Sequence, residues 1–222
     1  MTKRGSVVGV LAILLLGLAV TAFAYIGQGR AAGREAYPAW GAVGDSITYG
    51  VGSSDPATRA YPVQAGVTGH GIVGQCLVTS GCKGQPLVET FPRELSLLRQ
   101  EGDVAAVVVE VGINDLGHVT DQQYLDAYAR LRAEGAAQGV SVVLSTITPF
   151  GVTHPLPRNK EQQRQRINAW IRSQGAYVDY DAALRSGRRL DPRYDCGDGM
   201  HPSDAGHARM AEALDSWIAE DA

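Results

Sequence analysis

Gly44-Asp45-Ser46-Ile47-Thr48 follows a short apolar run, Trp40 to Val43, that reads as the end of a first β-strand. A serine placed where a strand breaks into a Gly-rich loop has its hydroxyl exposed and its backbone N–H free, two properties a nucleophilic serine needs. Gly-Asp-Ser alone is also ordinary turn composition. Its weight comes from three other stretches: Gly71-Ile72-Val73-Gly74, Gly112-Ile113-Asn114-Asp115 and Asp198-Gly199-Met200-His201. Together they supply a nucleophile, oxyanion donors and a base with its orienting acid, which are the parts of a serine esterase.

His201 is the best base among five histidines, because it alone has an acid close by on the same loop. Asp198-x-x-His201 lets one turn of chain bring the carboxylate to the imidazole, fixing its tautomer and stabilising the imidazolium. His70, His118, His154 and His207 lack a comparably placed acid and read as surface or packing residues. Asn114 follows Gly112 at the end of the clearest strand, and its amide is a neutral, preorganised donor of the kind an oxyanion needs. The backbone N–H groups of Gly74 and Ser46 are the other two donors. A rival reading, a metal-dependent phosphoesterase, takes Asp45, His70, Asp115, Asp198 and His201 as ligands. It leaves Ser46 and Asn114 without a purpose and lacks a compact ligand motif. A non-catalytic surface-binding domain is a third reading, and four intact stretches argue against it.

The elements that must hold these residues follow from hydrophobic spacing. Tyr61 to Ala65 starts a short helix with Pro62 in its first turn, and a weakly patterned strand lies near Gly66 to His70. Leu87, Phe91, Leu95 and Leu98 set a helix over Pro86 to Gln100. Val104 to Val111 is nearly continuous apolar and β-branched, as a strand buried on both faces should be. Thr120 caps a helix running to Gln138, ended by Gly139, and Val140 to Ile147 is the next buried strand. A basic helix from about Asn159 to Gln174 buries Ile167, Trp170 and Ile171. Ala176 to Tyr180 is a last short strand. Irregular chain then carries Asp198 and His201 to a C-terminal helix that starts after Pro202-Ser203 and packs through Met210, Leu214, Trp217 and Ile218. Strand and helix alternate, so the fold class is α/β, a three-layer α/β/α domain with a parallel five-stranded sheet. In such sheets sites form at the carboxyl ends of strands, where Ser46, Gly74 and Asn114 fall.

The four stretches, in this order, resemble the SGNH hydrolase family, also called GDSL lipases and acylhydrolases. Gly44-Asp45-Ser46 is similar to its nucleophile block, Gly74 to its glycine block, Gly112-x-Asn114-Asp115 to its asparagine block and Asp198-x-x-His201-Pro202 to its acid–base block. The likeness covers about residues 39–222. It implies a flavodoxin-like α/β/α fold and a triad of Ser46, Asp198 and His201. It also implies oxyanion donors from the Ser46 and Gly74 backbones and the Asn114 amide, with no cofactor and no metal. One block departs from the pattern: such proteins often carry an Asn shortly before the glycine block, and here Gly69-His70 stands in that place.

Composition bounds the rest. The chain has 222 residues, 45% of them hydrophobic and 19% charged, with a formal net charge of -3, which fits one globular domain and gives no electrostatic reason to expect nucleic acid. Lys3 and Arg4 precede an uncharged run from Val7 to Gly27, so residues 1–27 read as a signal peptide or an N-terminal membrane anchor. Residues 28–37 read as a linker and 38–222 as the hydrolase domain, secreted or anchored with the domain outside the cytoplasm. Cys76 and Cys82 flank a five-residue loop short enough to close by a disulfide in an oxidising space, with pairing left open, and Cys196 reads as a buried or partly buried bystander thiol. Loops between the blocks are short, so a shallow, open site is expected. It suits a small acyl ester of a carbohydrate or other polar molecule, with lipase, lysophospholipase or acyltransferase activity as alternatives.

Overall fold

A computed structural model describes residues 40–221. The expected leader or anchor at 1–27 and the linker at 28–37 lie outside the described residues. Five parallel strands form the central sheet: β1 (Trp40–Gly44), β2 (Thr68–Gly71), β3 (Ala106–Glu110), β4 (Ser141–Ser145) and β5 (Tyr177–Val178), in the order β2-β1-β3-β4-β5. β3 is buried at every position, as its apolar, β-branched sequence requires of a strand covered on both faces.

Two short helices, α1 (Ser46–Tyr49) and α2 (Pro56–Arg59), precede α3 (Tyr61–Ala65). The long helices are α4 (Leu87–Glu101), α5 (Asp121–Ala137), α6 (Arg158–Ser173) and α8 (Asp204–Asp221), with the short α7 (Tyr180–Leu184) between β5 and α8. The strand order reverses direction after β2, so right-handed crossovers put the helix before β2 on one face and the helices between the later strands on the other. α4 packs on α5 and α5 on α6 in one layer, while α3 and α7 pack on α8 in the other. The helical faces read from spacing are the buried ones: Leu87, Phe91 and Leu95 are fully inaccessible, as are Met210 and Leu214. Thr120 caps α5 in a reciprocal box with Gln123, and Gly139 turns the chain with φ 70°.

Three local expectations change. Ser46 does not sit in a loop; it is the first residue of the one-turn helix α1, whose N-cap Asp45 accepts a hydrogen bond from Ile47 N–H. β5 shrinks to two residues because Asp179, accepting from Ala182 N–H, caps α7 directly after it; past the end of β4, Asn168 of α6 accepts from Ile147 N–H at 2.8 Å and donates to Ile147 O at 2.9 Å, as a neighbouring strand would. The chain after β5 is not irregular throughout. It forms α7 and a hairpin of β6 (Arg185–Ser186) with β7 (Arg189–Leu190).

Arg164 is fully buried beside Asn168 and reaches Asp181 at 2.6 Å, Glu161 at 2.9 Å and Ile147 O at 2.9 Å. Every guanidinium contact is a charge-assisted hydrogen bond, which makes its burial tolerable. Removing it leaves Asp181 under-paired in the interior. Arg164→Ala is expected to lower the unfolding free energy by about 3 kcal/mol in urea denaturation. Arg209→Ala, at an exposed pair with Glu212, is expected to leave the midpoint essentially unchanged. Equal effects at the two positions would remove the buried arginine from this role.

Candidate active site

The carboxyl ends of β1 and β3 meet at the point where the strand order reverses, and the site is built there. Close approach comes first. A side chain at Gly44 would overlap Glu110 O and Thr48 Oγ1, and one at Gly71 would overlap the backbone of Tyr49. Asp45 N–H donates to Glu110 O at 3.2 Å and Ile72 N–H to Gly44 O at 3.0 Å, so the ends of β1, β2 and β3 are joined directly.

On this junction Ser46 is 5% exposed, and its Oγ lies 3.0 Å from His201 Nε2. His201 Nδ1 lies 2.6 Å from Asp198 Oδ2, while Asp198 Oδ1 accepts the backbone N–H groups of Met200 and His201, each at 2.8 Å. Partial burial works against the Asp198 carboxylate, but the His201 ring and these two N–H groups outweigh it and hold its pKa down to about 2. Asp198 is therefore ionised across the whole range in which an imidazole titrates. The loop that carries both residues is closed on itself: Asp195 Oδ1 accepts from Gly197 and Gly199 N–H, and Cys196 N–H donates to His201 O at 3.0 Å.

On the other side of Ser46, Asn114 sits in a single 3-10 turn, Ile113–Asp115. Its Nδ2 donates to Gln75 O at 2.8 Å and more loosely to Asp45 Oδ2 at 3.4 Å. Tyr124 and Tyr128 of α5 donate to Gly112 O and Val111 O, both at 2.8 Å, and fix the chain just before that turn. Gly74 has φ 76° in a turn closed by Gln75 N–H on Ile72 O. Neither Ser46 N–H nor Gly74 N–H has an acceptor among the described residues.

The buried Asp115 carboxylate accepts Leu77 N–H at 2.6 Å, Val78 N–H at 3.0 Å and Thr79 N–H at 2.9 Å. Burial pushes its pKa up, against the pull of those three donors. It thereby holds the loop that Cys76 and Cys82 close as a disulfide, with 5.7 Å between their Cα atoms. Asp45, wholly buried, is raised well above the ordinary carboxylate range by burial, with Asp115 adding to the rise. Glu110 is raised by burial and by Asp45 beside it, and its Oε2 accepts from Thr48 Oγ1. Sequence reasoning missed these supporting groups. An Asp directly before a helix-starting Ser is an N-cap signal, and tyrosines four apart on a buried helical face signal hydroxyls that need acceptors.

The residues of the metal reading are not gathered into one cluster. Asp45 and Asp115 are engaged as above, and His70 is buried against Glu94 of α4, an acidic partner that lies far from it in sequence. Cys196 is a free thiol but an exposed one, because its loop turns outward between Asp195 and Asp198.

The sequence matches the GDSL-like lipase/acylhydrolase family over residues 42–209. No curated protein matches it significantly. Among solved structures it is similar to a protein assigned to the G-D-S-L lipolytic family from Desulfitobacterium hafniense DCB-2, with 16% identity, TM-score 0.65, and coverage of 80% of this chain and 98% of that one. A GDSL-like lipase from Bacteroides thetaiotaomicron VPI-5482 aligns at 22% identity and TM-score 0.63, over 82% of this chain and 88% of that one. A protein assigned as an acylhydrolase from Bacteroides fragilis NCTC 9343 aligns at 22% identity and TM-score 0.64, over 82% and 86% respectively. At these identities the structures establish a shared fold.

His207, at the start of α8, is fully buried behind this site; its Nε2 lies 3.2 Å from Val51 O, and burial lowers its pKa to about 4. The unfolded chain, with an ordinary histidine, takes up a proton first as pH falls. The stabilisation is complete above about pH 6.5 and is lost as pH drops towards 4. Between pH 7 and 4.5 wild type should lose about 2 to 3 kcal/mol more than His207→Gln in urea denaturation. Equal losses in both proteins would contradict a neutral, buried ring.

Proposed function

The chain belongs to the GDSL-like lipase/acylhydrolase family, and on that premise we propose that it is a serine-dependent carboxylic ester hydrolase working through Ser46, His201 and Asp198. The observation that carries the reading is the continuous relay from Ser46 Oγ to His201 Nε2 at 3.0 Å and from His201 Nδ1 to Asp198 Oδ2 at 2.6 Å. Ser46 Oγ attacks the ester carbonyl carbon as its proton passes to His201 Nε2, and the carbonyl π pair moves onto oxygen. Asp198, kept ionised, stabilises the imidazolium and fixes the tautomer that leaves Nε2 free to accept.

The oxyanion accepts from Ser46 N–H, Gly74 N–H and the Asn114 amide. The two backbone donors have no competing acceptor among the described residues, and the Asn114 hydrogen that faces Asp45 is held only loosely. Collapse expels the alkoxide, which takes the proton from His201, and water repeats the sequence to release the acid. No step requires a metal or a cofactor.

The substrate is a small acyl ester of a carbohydrate or other polar molecule; the side chain of Asp198 is 47% exposed, so the acid–base side is open to a bulky, hydrated alcohol. The work is extracytoplasmic, secreted or membrane-anchored. The Cys76–Cys82 disulfide and the uncharged run at residues 7–27 support that placement.

The test is hydrolysis of p-nitrophenyl esters of increasing acyl length by the full chain. Ser46→Ala should lose roughly 10⁵-fold or more in kcat. Asn114→Ala should lose on the order of 100- to 1,000-fold in kcat with little change in KM. EDTA should have no effect, and acetyl should be preferred to octanoyl. Retained activity in Ser46→Ala, or its loss in EDTA, would overturn the serine mechanism.

A further inference from the structure

A cleft of about 800 Å³ lies between the start of α6, the segment that follows β4 and the β6–β7 hairpin, and none of Ser46, Asn114, Asp198 or His201 lines it. Phe150 and Leu156 give it an apolar wall, and four arginines surround it: Arg158, Arg166, Arg188 and Arg189. Such a cluster is out of keeping with a chain of formal net charge -3. Arg166 is paired with Asp121, but Arg158, Arg188 and Arg189 are exposed and have no side-chain hydrogen bond or ion pair among the described residues. The one carboxylate that lines the cleft, Glu161, gives both oxygens to the buried Arg164. Like charges brought together without counter-charge repel, and that cost disappears when an anion enters. The cleft also lies at the start of α6, where Pro157 caps the helix without a side-chain acceptor and the helix dipole is positive.

The hairpin has little structural work to explain it. Of its four strand residues Leu190 alone is buried, with its N–H on Phe150 O at 3.0 Å, while Arg188 and Arg189 project from the turn. The cleft also adjoins the acid–base loop. Gly151, on its wall, donates to Gly199 O at 2.8 Å, one residue from Asp198 and two from His201. Because His201 must hand its proton to the departing oxygen, the alcohol part of an ester lies on the His201 side of Ser46.

The geometry points to this cleft as a subsite for an anionic group, a phosphate, sulfate or carboxylate, carried by the alcohol part of the substrate. The inference rests on the ester-hydrolase reading for its place in the reaction, though not for the binding itself. Guanidinium pairs to oxyanions supply the affinity, and the apolar wall takes the carbon skeleton beside the charge.

Two measurements separate the binding from the chemistry. Calorimetric titration of inorganic phosphate into the full chain should show binding that weakens about 10-fold or more in Arg188→Gln/Arg189→Gln. Hydrolysis of 4-acetoxyphenyl phosphate and of 4-acetoxybenzoate, each relative to neutral phenyl acetate, should favour the anionic ester in wild type. The double variant should cut that ratio about 10-fold, mainly through KM. A fall with the phosphate ester alone assigns phosphate as the recognised group, and a fall with both assigns a general anion subsite. An unchanged ratio with Ser46-dependent hydrolysis intact would overturn the subsite and leave the esterase standing. Hydrolysis that persists in Ser46→Ala would overturn the esterase instead, and the phosphate titration then decides the cleft alone: loss of binding in the double variant upholds it, and absent or unaltered binding rejects it.

Discussion

The Asp45 carboxylate is sealed from solvent at the junction of β1 and β3, and most of the site is positioned through it. One oxygen caps the helix that begins at Ser46, and the other faces the amide of Asn114. A buried carboxylate costs free energy unless donors surround it, and here the donors belong to the segments that must meet. The backbone bond from Asp45 to Glu110 ties the strand that leads to Ser46 to the strand that delivers Asn114. Glycine at 44 and 71 is what lets three chains approach closely enough for this, since a methyl group at either position would collide with backbone.

Around that junction, polar side chains do work that strands or solvent do elsewhere. Asn168 completes the hydrogen bonding of the segment after β4, and Arg164 and Asp181 fill the interior beside it with matched charges. Asp115 gathers three successive N–H groups of the disulfide loop. Asn114 and Asp115, neighbours in one 3-10 turn, therefore divide two tasks: one reaches towards the helix that begins at Ser46 and the other fixes the loop beyond Gly74. A fixed donor set costs no reorganisation when charge develops, which is the physical condition for electrostatic stabilisation of a transition state.

Much of this was legible in the sequence for identifiable reasons. Val104 to Val111 reads as a two-sided buried strand because nothing else tolerates so long a β-branched run. The faces of α4 and α8 follow from their spacing, and Ser46, Asn114, Asp198 and His201 come together as their placement after strand ends requires. What escaped depends on contacts distant in sequence. His70 lacks an acid in its own stretch of sequence because Glu94 is on another element, and β5 reads longer because the Asp179 cap that ends it starts a helix of only five residues, too short for a helical period to register. The hairpin at Arg185 to Leu190 has too few residues for an alternating pattern to register. Cys196 reads as buried or partly buried because cysteines usually are, whereas the tight Asp195 turn leaves it exposed.

That tight turn has a further consequence. The loop bearing Asp198 and His201 takes its shape from Asp195, from its own backbone bonds, from Tyr194 O accepting Ser203 N–H and from Gly151 N–H on Gly199 O, and none of these bonds reaches the exposed β6–β7 turn at residues 186–189. Sequence can therefore be gained, lost or rewritten at that exposed turn without displacing the imidazole. Selection can exchange one appendage for another at the rim while Ser46, His201 and Asp198 keep their places.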